Sequence, residues 1–488
     1  MSIHKIEASK KATLPRIGAE SQVVRPRFLN SSIKILDQIG FIGLLATIAL
    51  AVIPYGTVDA WWQAVFECAV FGLTAIWIIE ALLRGSWEIR RVMVVLPMFL
   101  LSGYAFLQSS HLPFVGPGDG PIARHTLTID EYQTHLTAVK ILTLTLCAAL
   151  LLQKVTTLSR LKWLVRLIVG IGFGSALFGI ARQVLQAPTS DSGFILPFLF
   201  PGLGYGQFLS SNAFAFVVEM GFAVVLGLIL GGGVARQHIL IYIVLGVIIW
   251  AALVLSNSRG GLIGFVCQTI FVSLVANPRL FKRFAEDEPN RKKTIGSVPA
   301  LLMRGIAILA IVVALIASVF WMGGQQLASK IAQGDAVNTT TEGGTRTEIW
   351  HSTWQLIKHH PWTGVGFGTY FLAIPQFQNG SGRLKLEQAH NDYLDLAANG
   401  GIVAIIIALS LIGLVIWNVR LALRSTDRFR RAAALAGLAG LISVAVHSFV
   451  DFGLQVTGIG VIAVSLIVIS VANIPIDRRT VHISRIEQ

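Results

Sequence analysis

The chain has 488 residues, of which 54% are hydrophobic and only 13% are charged. A soluble globular domain carries about 25% charged residues, so this composition excludes an ordinary soluble protein and indicates a polytopic membrane protein. The net charge of +14 would suit nucleic-acid binding, but the positions of the basic residues explain it as a topology signal.

The chain begins with a polar, basic tail, residues 1–33, which we predict to be disordered and cytoplasmic. Twelve apolar segments follow that are long enough to cross a membrane and are continuously apolar, so they predict transmembrane helices. They lie near residues 36–54, 61–83, 92–108, 134–153, 163–185, 207–230, 238–255, 260–276, 301–322, 400–419, 432–450 and 455–475. A shorter run at 194–203 predicts a re-entrant or interfacial piece. The expected fold is therefore an all-α polytopic membrane protein.

The distribution of lysine and arginine predicts the orientation of these helices. With the N-terminus inside, 30 of the 39 lysines and arginines fall on the inner side, as the positive-inside rule requires. An even number of spans places both termini in the cytoplasm. The expected organisation is nine helices within 34–322, a large outer loop at 323–399, three helices within 400–475, and an inner tail at 476–488.

Two arginines on the predicted outer face are candidates for binding an anion. Arg259 opens a predicted helix, where a cation opposes the helix dipole. The conflict disappears if an anion lies between the guanidinium and free amides of Gly260 and Gly261. Arg182, a charge near the end of an otherwise apolar segment, is a second candidate. An interfacial arginine whose side chain reaches the headgroups is the alternative for Arg259.

The outer loop contains a predicted amphipathic helix. Thr345 and Glu348 form a capping box that starts it, and Pro361 ends it at or before His360. The stripe of Arg346, Trp350 and Trp354, four residues apart, lies on one face. This stripe predicts either an interfacial helix anchored by tryptophan or the wall of a sugar site, with arginine gripping phosphate.

The remaining loop motifs are a glycine-rich turn and a histidine segment. Glycines at 364, 366 and 368 predict a tight turn rather than a nucleotide-binding loop. His390, followed by Asn391 and Asp392, begins a predicted short helix that we expect to end at residues 400–401. Its imidazole is suited to act as a general base near neutral pH.

Several charged residues fall within or at the ends of the predicted spans. His447 and Asp451 are four residues apart, which predicts either an intrahelical hydrogen bond or an aspartate that orients the histidine toward a substrate. Glu67, Lys140 and Glu219 lie inside spans and indicate buried pairing or cavity lining.

Four segments together resemble the O-antigen ligase and O-antigen polymerase superfamily of bacterial inner-membrane proteins. They are residues 256–261, residues 346–350 with 360–368, residues 390–394 with 400–401, and residues 447–451. Residues 206–215 are also similar to an asparagine-containing segment of that family. The order and spacing of these motifs extend over roughly residues 170–470.

The resemblance implies a helical membrane glycosyltransferase that transfers a glycan from an undecaprenyl diphosphate carrier to an acceptor hydroxyl. The reaction would occur at the periplasmic face of the inner membrane, without a nucleotide cofactor or a metal. His390 would be the catalytic residue, with Arg259, Arg182, Gly260 and Gly261 at the diphosphate. Sugar-binding or supporting roles would fall to Arg346, Trp350, Trp354, Asn391, Asp392, His447 and Asp451.

The implied partners are the lipid-linked donor, membrane lipids, other polysaccharide-assembly proteins, and either an acceptor glycan or lipid A-core. The motifs leave polymerase and ligase open, with a slight preference for polymerisation or exopolysaccharide assembly. A transporter or flippase of lipid-linked glycans is an alternative, although no internal repeat is visible. A third possibility is a non-catalytic assembly partner in a polysaccharide complex, for which replacing His390 with alanine would have no effect on activity.

Overall fold

The computed structural model describes residues 27–87, 91–111, 126–185, 205–276, 340–341, 344–378, 386–472 and 474. These residues form a bundle of helices and a smaller loop subdomain. The loop subdomain consists of the described residues between 340 and 390. The helices are α1 (Arg27–Val52), α2 (Ala60–Arg84), α3 (Val92–Gln108), α4 (Glu131–Lys154), α5 (Leu158–Leu185), α6 (Ser211–Leu230), α7 (Ile239–Leu255), α8 (Arg259–Val275), α9 (Arg346–His359), α10 (Tyr370–Ala373), α11 (Asp392–Leu423), α12 (Arg428–His447) and α13 (Thr457–Val471).

Short elements complete the described part of the chain. Strands β1 (Thr340–Thr341) and β2 (Gly344–Thr345) pair antiparallel just before α9. Single turns of 3₁₀ helix lie at Arg236–His238, Ile374–Phe377 and Gly453–Gln455.

The predicted membrane helices are confirmed wherever the structure describes them. Eleven of the twelve predicted segments are helical, and eight described helices are long and apolar enough to cross a membrane. Three further apolar helices are shorter, and they are Met93–Gln108, Arg259–Val275 and Thr457–Val471. The chain is therefore an all-α polytopic membrane protein. The segments 301–322 and 194–203 lie outside the described residues, and the orientation stays a prediction.

One predicted boundary was wrong. Helix α1 begins at Arg27, so residues 27–33, which we assigned to a disordered tail, form its first two turns. We placed the start of the helix after residue 33 because residues 27–33 are polar. A membrane helix can, however, extend beyond the hydrocarbon layer into the interface.

The centre of the bundle depends on small residues at helix contacts. A Cβ added at Gly227 of α6 would lie 2.4 Å from the Cα of Ala436 in α12, and one at Gly437 would lie 2.3 Å from Ser470 Oγ in α13. Small side chains allow helix backbones to approach closely where lipid provides no hydrophobic driving force. Helix α13 is buried along its whole length, and it packs against α1, α4, α5, α6, α11 and α12.

Charged residues join four helices at the end that we predict to face the cytoplasm. The ammonium of Lys154 contacts the carboxylates of Glu80 and Asp37, and Arg160 contacts Asp37 as well. Arg84 also pairs with Glu80. These ion pairs link α1, α2, α4 and α5. Removing one partner would destabilise the protein, because it would leave another charge buried and uncompensated.

The glycine-rich turn has the tight geometry that its sequence predicts. Gly364, Gly366 and Gly368 have φ angles of 69°, 107° and 78°, which disfavour side chains. The turn is held from α3, because Gln108 Nε2 donates to the carbonyl of Thr363 at 2.7 Å and Gln108 Oε1 accepts from the amide of Phe367 at 3.3 Å. This turn is thus fixed to helix α3 of the bundle.

A backbone break at Gly401 divides α11 into a short helix before it and a long helix after it. Gly401 has φ 59° and ψ −159°, a region that is essentially restricted to glycine. A Cβ at this position would lie 2.3 Å from the carbonyl oxygen of Trp362. The predicted end of the short helix at residues 400–401 is therefore confirmed as a change of direction, after which the chain continues as a membrane helix.

We expect the Gly401→Ala substitution to destabilise the folded protein by about 2–4 kcal/mol, since strain and steric overlap add at this position. Thermal unfolding of the purified protein in detergent measures the loss. Gly413→Ala is the matched control, because it lies on the same helix and its added Cβ would meet nothing within 4 Å. Equal melting temperatures for the two variants would contradict this description of the break.

Candidate active site

His390 lies where the outer loop enters α11. It is one of the few described non-glycine residues with a positive φ, 49°. Its neighbour Asn391 caps α11, because the Asn391 side chain accepts hydrogen bonds from the amides of Tyr393 and Leu394 and donates to the carbonyl of Phe449. The cap fixes the backbone immediately after His390, and this fixes the direction of the imidazole.

Asp451 is the charged partner of His390. His390 Nδ1 lies 3.6 Å from Asp451 Oδ1, and the carboxylate is more buried than the imidazole, with 6% against 20% of the side chain exposed. The edge of the Phe452 ring contacts the imidazole, with centroids 5.0 Å apart. Because Nδ1 faces the carboxylate, Nε2 is the nitrogen that can accept a proton from a substrate.

The surroundings of Asp451 keep it ionised. Burial alone would raise the pKa of this carboxyl, but the contact with His390 and the charges of His447 and Arg346 outweigh burial and lower the pKa below its ordinary value. Asp451 therefore carries a full negative charge at neutral pH. An ionised carboxylate beside Nδ1 favours the tautomer in which Nδ1 bears the hydrogen.

Arg346 brings the loop helix to the same place. It is the first residue of α9, and Thr345 and Glu348 form the predicted capping box before it. Arg346 interacts electrostatically with Asp451 and with Arg259, and its burial is the main reason why its pKa is lowered. Its Nε is buried and has no hydrogen-bond partner among the described residues. Two neighbouring guanidinium groups repel each other, so this arrangement suits an anion placed between them.

The start of α8 is capped by the protein itself. The amide of Gly261 donates to Ser258 Oγ at 3.2 Å, and the Ser258 hydroxyl donates to Asn212 Oδ1 at 2.8 Å. The predicted free amide at Gly261 is therefore wrong, because the helix cap occupies it. Gly260 packs against the imidazole of His447, where an added Cβ would lie 2.4 Å from Cδ2, so close packing accounts for this glycine.

His447 pairs with Glu219 rather than with Asp451. His447 Nδ1 lies 3.2 and 3.3 Å from the two Glu219 carboxylate oxygens, and both side chains are fully buried. The Phe216 ring stacks on the imidazole at 3.7 Å. Both readings of the spacing between His447 and Asp451 were wrong, because the partner of each residue lies on another part of the chain.

Asn391 and Asp392 position the site rather than line it. Asp392 accepts hydrogen bonds from Ser448 Oγ at 2.7 Å and from the amide of Leu454 at 3.2 Å. These bonds tie the start of α11 to the connection between α12 and α13, which carries Asp451. The relative placement of His390 and Asp451 depends on this tie.

The two tryptophans of α9 have different environments. Trp350 is half-buried and its Nε1 is buried without a hydrogen-bond partner among the described residues. Trp354 is 51% exposed, and the Lys358 ammonium lies 5.9 Å from its ring centroid. Trp350 is thus the indole closer to the packed side of the loop, and Trp354 is available to an interface or a ligand at the surface.

Arg182 belongs to a neighbouring group of contacts. It is buried, its Nη1 donates to the carbonyl of Gly206 at 2.6 Å, and it interacts with Tyr55. Residues 205–212 connect it to the site, because Asn212 at the end of that segment binds Ser258 beside Arg259. His390 and Asp451 are in contact, and Arg346 interacts electrostatically with both Asp451 and Arg259. Arg182 is linked to this group only through residues 205–212.

Replacing Asp451 with asparagine is expected to lower activity by about 10–100-fold, the usual contribution of a group that orients a functional imidazole. The physical reason is loss of the charge that fixes the Nδ1 side of His390. Initial rates at several pH values, with folding checked by size-exclusion chromatography, would measure the effect. An unchanged rate and pH profile in this variant would contradict the pairing.

Comparison with known families matches a segment that contains part of this site. Residues 244–409 match the model of the O-Antigen ligase family, which confirms the resemblance to that family and supports a role in joining glycans at a membrane. The matched segment includes Arg259, Arg346 and His390. Arg182 and Asp451 lie outside it. No curated protein gave a significant match to the chain.

Proposed function

Since residues 244–409 match the O-Antigen ligase family, we propose that this membrane protein transfers a glycan from undecaprenyl diphosphate to an acceptor hydroxyl. The reaction takes place at the periplasmic face of the bacterial inner membrane. Its product is either a longer surface polysaccharide or O-antigen chain, or a glycan attached to lipid A-core.

The observation that carries this proposal is that residues from four distant segments interact with one another. Arg259 comes from the start of α8, Arg346 from the start of α9, His390 from just before α11, and Asp451 from the connection between α12 and α13. Structural packing does not require two arginines beside a histidine and a carboxylate. The transfer of a sugar from a diphosphate requires an anion site beside a base.

The proposed reaction assigns one task to each group. The acceptor oxygen attacks the anomeric carbon of the donor sugar while the bond from that carbon to the diphosphate oxygen breaks. His390 Nε2 takes the acceptor proton, and Asp451 stabilises the resulting imidazolium. Arg259 and Arg346 stabilise the negative charge that develops on the departing undecaprenyl diphosphate.

The contacts of the charged residues inside the bundle favour this proposal over a transporter. Glu219 pairs with His447, and the Lys140 ammonium donates to the carbonyl of Gln455 and interacts with Glu67. Each of these groups has a partner within the protein. Their arrangement is that of structural polar contacts between helices.

The acceptor is identified by incubating purified protein with an undecaprenyl-diphosphate-linked glycan, with and without lipid A-core. A polymerase produces longer lipid-linked chains in both reactions, and a ligase produces glycosylated lipid A-core only when that acceptor is present. Absence of glycan transfer in both reactions, with protein that remains folded, would contradict the proposed function.

A further inference from the structure

An apolar groove lies between α1 and α5, on the side of the bundle that carries Arg182. Its volume is about 710 Å³. Leu45 and Val52 of α1 and Ile53 just after it line one side, and α5 lines the other from Trp163 to Phe178. The fifteen steps between these two residues of α5 correspond to about 22 Å at 1.5 Å per residue, so the groove follows the helix for most of the thickness of a membrane.

Two glycines keep the groove open. Gly170 and Gly174 are one turn apart on α5 and both line the groove. A Cβ added at either position would meet no other atom within 4 Å. Elsewhere in the bundle, as at Gly227, glycine permits helices to touch, but here it leaves unfilled space along the helix surface.

The groove continues toward a cation at its predicted outer end. Arg182 follows Ser175 by seven residues, which places it two turns farther along the same face of α5. On the α1 side, Tyr55 lies two residues after the groove-lining Ile53 and interacts with Arg182. Both walls therefore lead from apolar side chains to the same guanidinium.

A polar pair marks the transition between the apolar and charged parts. Gln207 lines the groove, and its Nε2 donates to Ser175 Oγ at 2.7 Å. Gln207 Oε1 is buried and has no hydrogen-bond partner among the described residues. Its neighbour Gly206 accepts the hydrogen bond of Arg182. A ligand that enters along the groove thus meets polar groups before it reaches the arginine.

We propose that this groove binds the isoprenoid chain of the donor's carrier lipid, with its diphosphate directed to Arg182. This inference rests on the proposed function and adds the path of the lipid. A long apolar chain that ends in an anion matches a groove that is apolar along its length and cationic at one end. From Arg182, residues 205–212 lead to Ser258 and Arg259, which places the diphosphate beside the reacting groups.

The test is to fill the groove and measure lipid binding rather than activity. Gly170→Trp places an indole in the open space, twelve residues before Arg182 or about 18 Å along the helix. Gly72→Trp on α2 is the matched control, since a Cβ there also meets nothing within 4 Å and Gly72 does not line this groove. Native mass spectrometry of the full chain measures binding of undecaprenyl diphosphate, geranyl diphosphate and phosphatidylglycerol.

We expect Gly170→Trp to weaken undecaprenyl diphosphate binding by about tenfold or more, because much of the chain loses its buried surface. Binding of geranyl diphosphate, whose tail ends before Gly170, should not change, and Gly72→Trp should match the wild type. Unchanged undecaprenyl diphosphate binding in Gly170→Trp would overturn the groove and leave the proposed function intact. A loss confined to phosphatidylglycerol would overturn it as well. A wild type that binds no undecaprenyl diphosphate would overturn both.

Discussion

The His390→Ala variant is expected to lose glycan transfer by about 10²–10⁴-fold, the usual contribution of a general acid–base group. The variant removes the nitrogen that accepts the acceptor proton but leaves the cap on α11, because Asn391 makes that cap. The protein should therefore insert, fold and bind the lipid-linked donor as the wild type does. Transfer rates at saturating donor, with donor binding measured separately, distinguish loss of chemistry from loss of binding.

His351→Ala is the control for this prediction. His351 is an exposed histidine on α9, in the same loop subdomain, and its described contact is a hydrogen bond with Gln355. We expect this variant to transfer glycan at the wild-type rate. Wild-type turnover by His390→Ala would remove His390 from the reaction and would favour a non-catalytic assembly role for the protein.

The Arg259→Ala variant is expected to lower transfer by about 10²–10³-fold, because one preorganised donor to the departing diphosphate is lost. Arg259→Lys should recover only part of this loss, since lysine retains the charge but lacks the two-pronged geometry of a guanidinium. The same assay measures both variants. Arg420→Ala, an exposed arginine near the far end of α11, should have no effect.

A double variant tests whether Arg259 and Arg346 bind the same anion. If both arginines hold one anion, the Arg259→Ala and Arg346→Ala losses should not add in the double variant. Independent roles would give a double variant whose loss, in free energy, equals the sum of the single losses. That additive result would contradict a shared diphosphate site.

The membrane architecture could be predicted because it depends on local properties of the sequence. Continuous apolar runs predicted eleven described helices, and the Thr345 and Glu348 capping box predicted the start of α9. The glycines at 364, 366 and 368 predicted a turn because their backbone angles exclude side chains. In each case the residues that decide the structure are neighbours in sequence.

The pairing of charged residues could not be predicted in the same way. Asp451 and His447 are one helical turn apart, yet Asp451 pairs with His390 and His447 with Glu219. Helix α12 ends at His447, so the periodicity that would bring the two together no longer applies at Asp451. Glu219 was visible as a charge within a span, but only helix packing identifies its partner.

The groups that form the anion site were also only partly predictable from the sequence. A helix start with an arginine and two glycines predicted free amides, but Ser258 immediately before it occupies the amide of Gly261. Serine at this position is a common helix cap, so the signal was present in the sequence. The role of Arg346 depends on its electrostatic interaction with Arg259, nearly ninety residues away in sequence, which local spacing does not reveal.

Release of the carrier lipid tests most directly whether the protein transfers glycan. Purified wild-type protein in liposomes is incubated with an undecaprenyl-diphosphate-linked glycan and an acceptor, and mass spectrometry quantifies both products. We predict that one undecaprenyl diphosphate is released for each glycan unit added to the acceptor, and that His390→Ala forms neither product. Donor that crosses the bilayer without release of undecaprenyl diphosphate would contradict glycan transfer and identify a transporter instead.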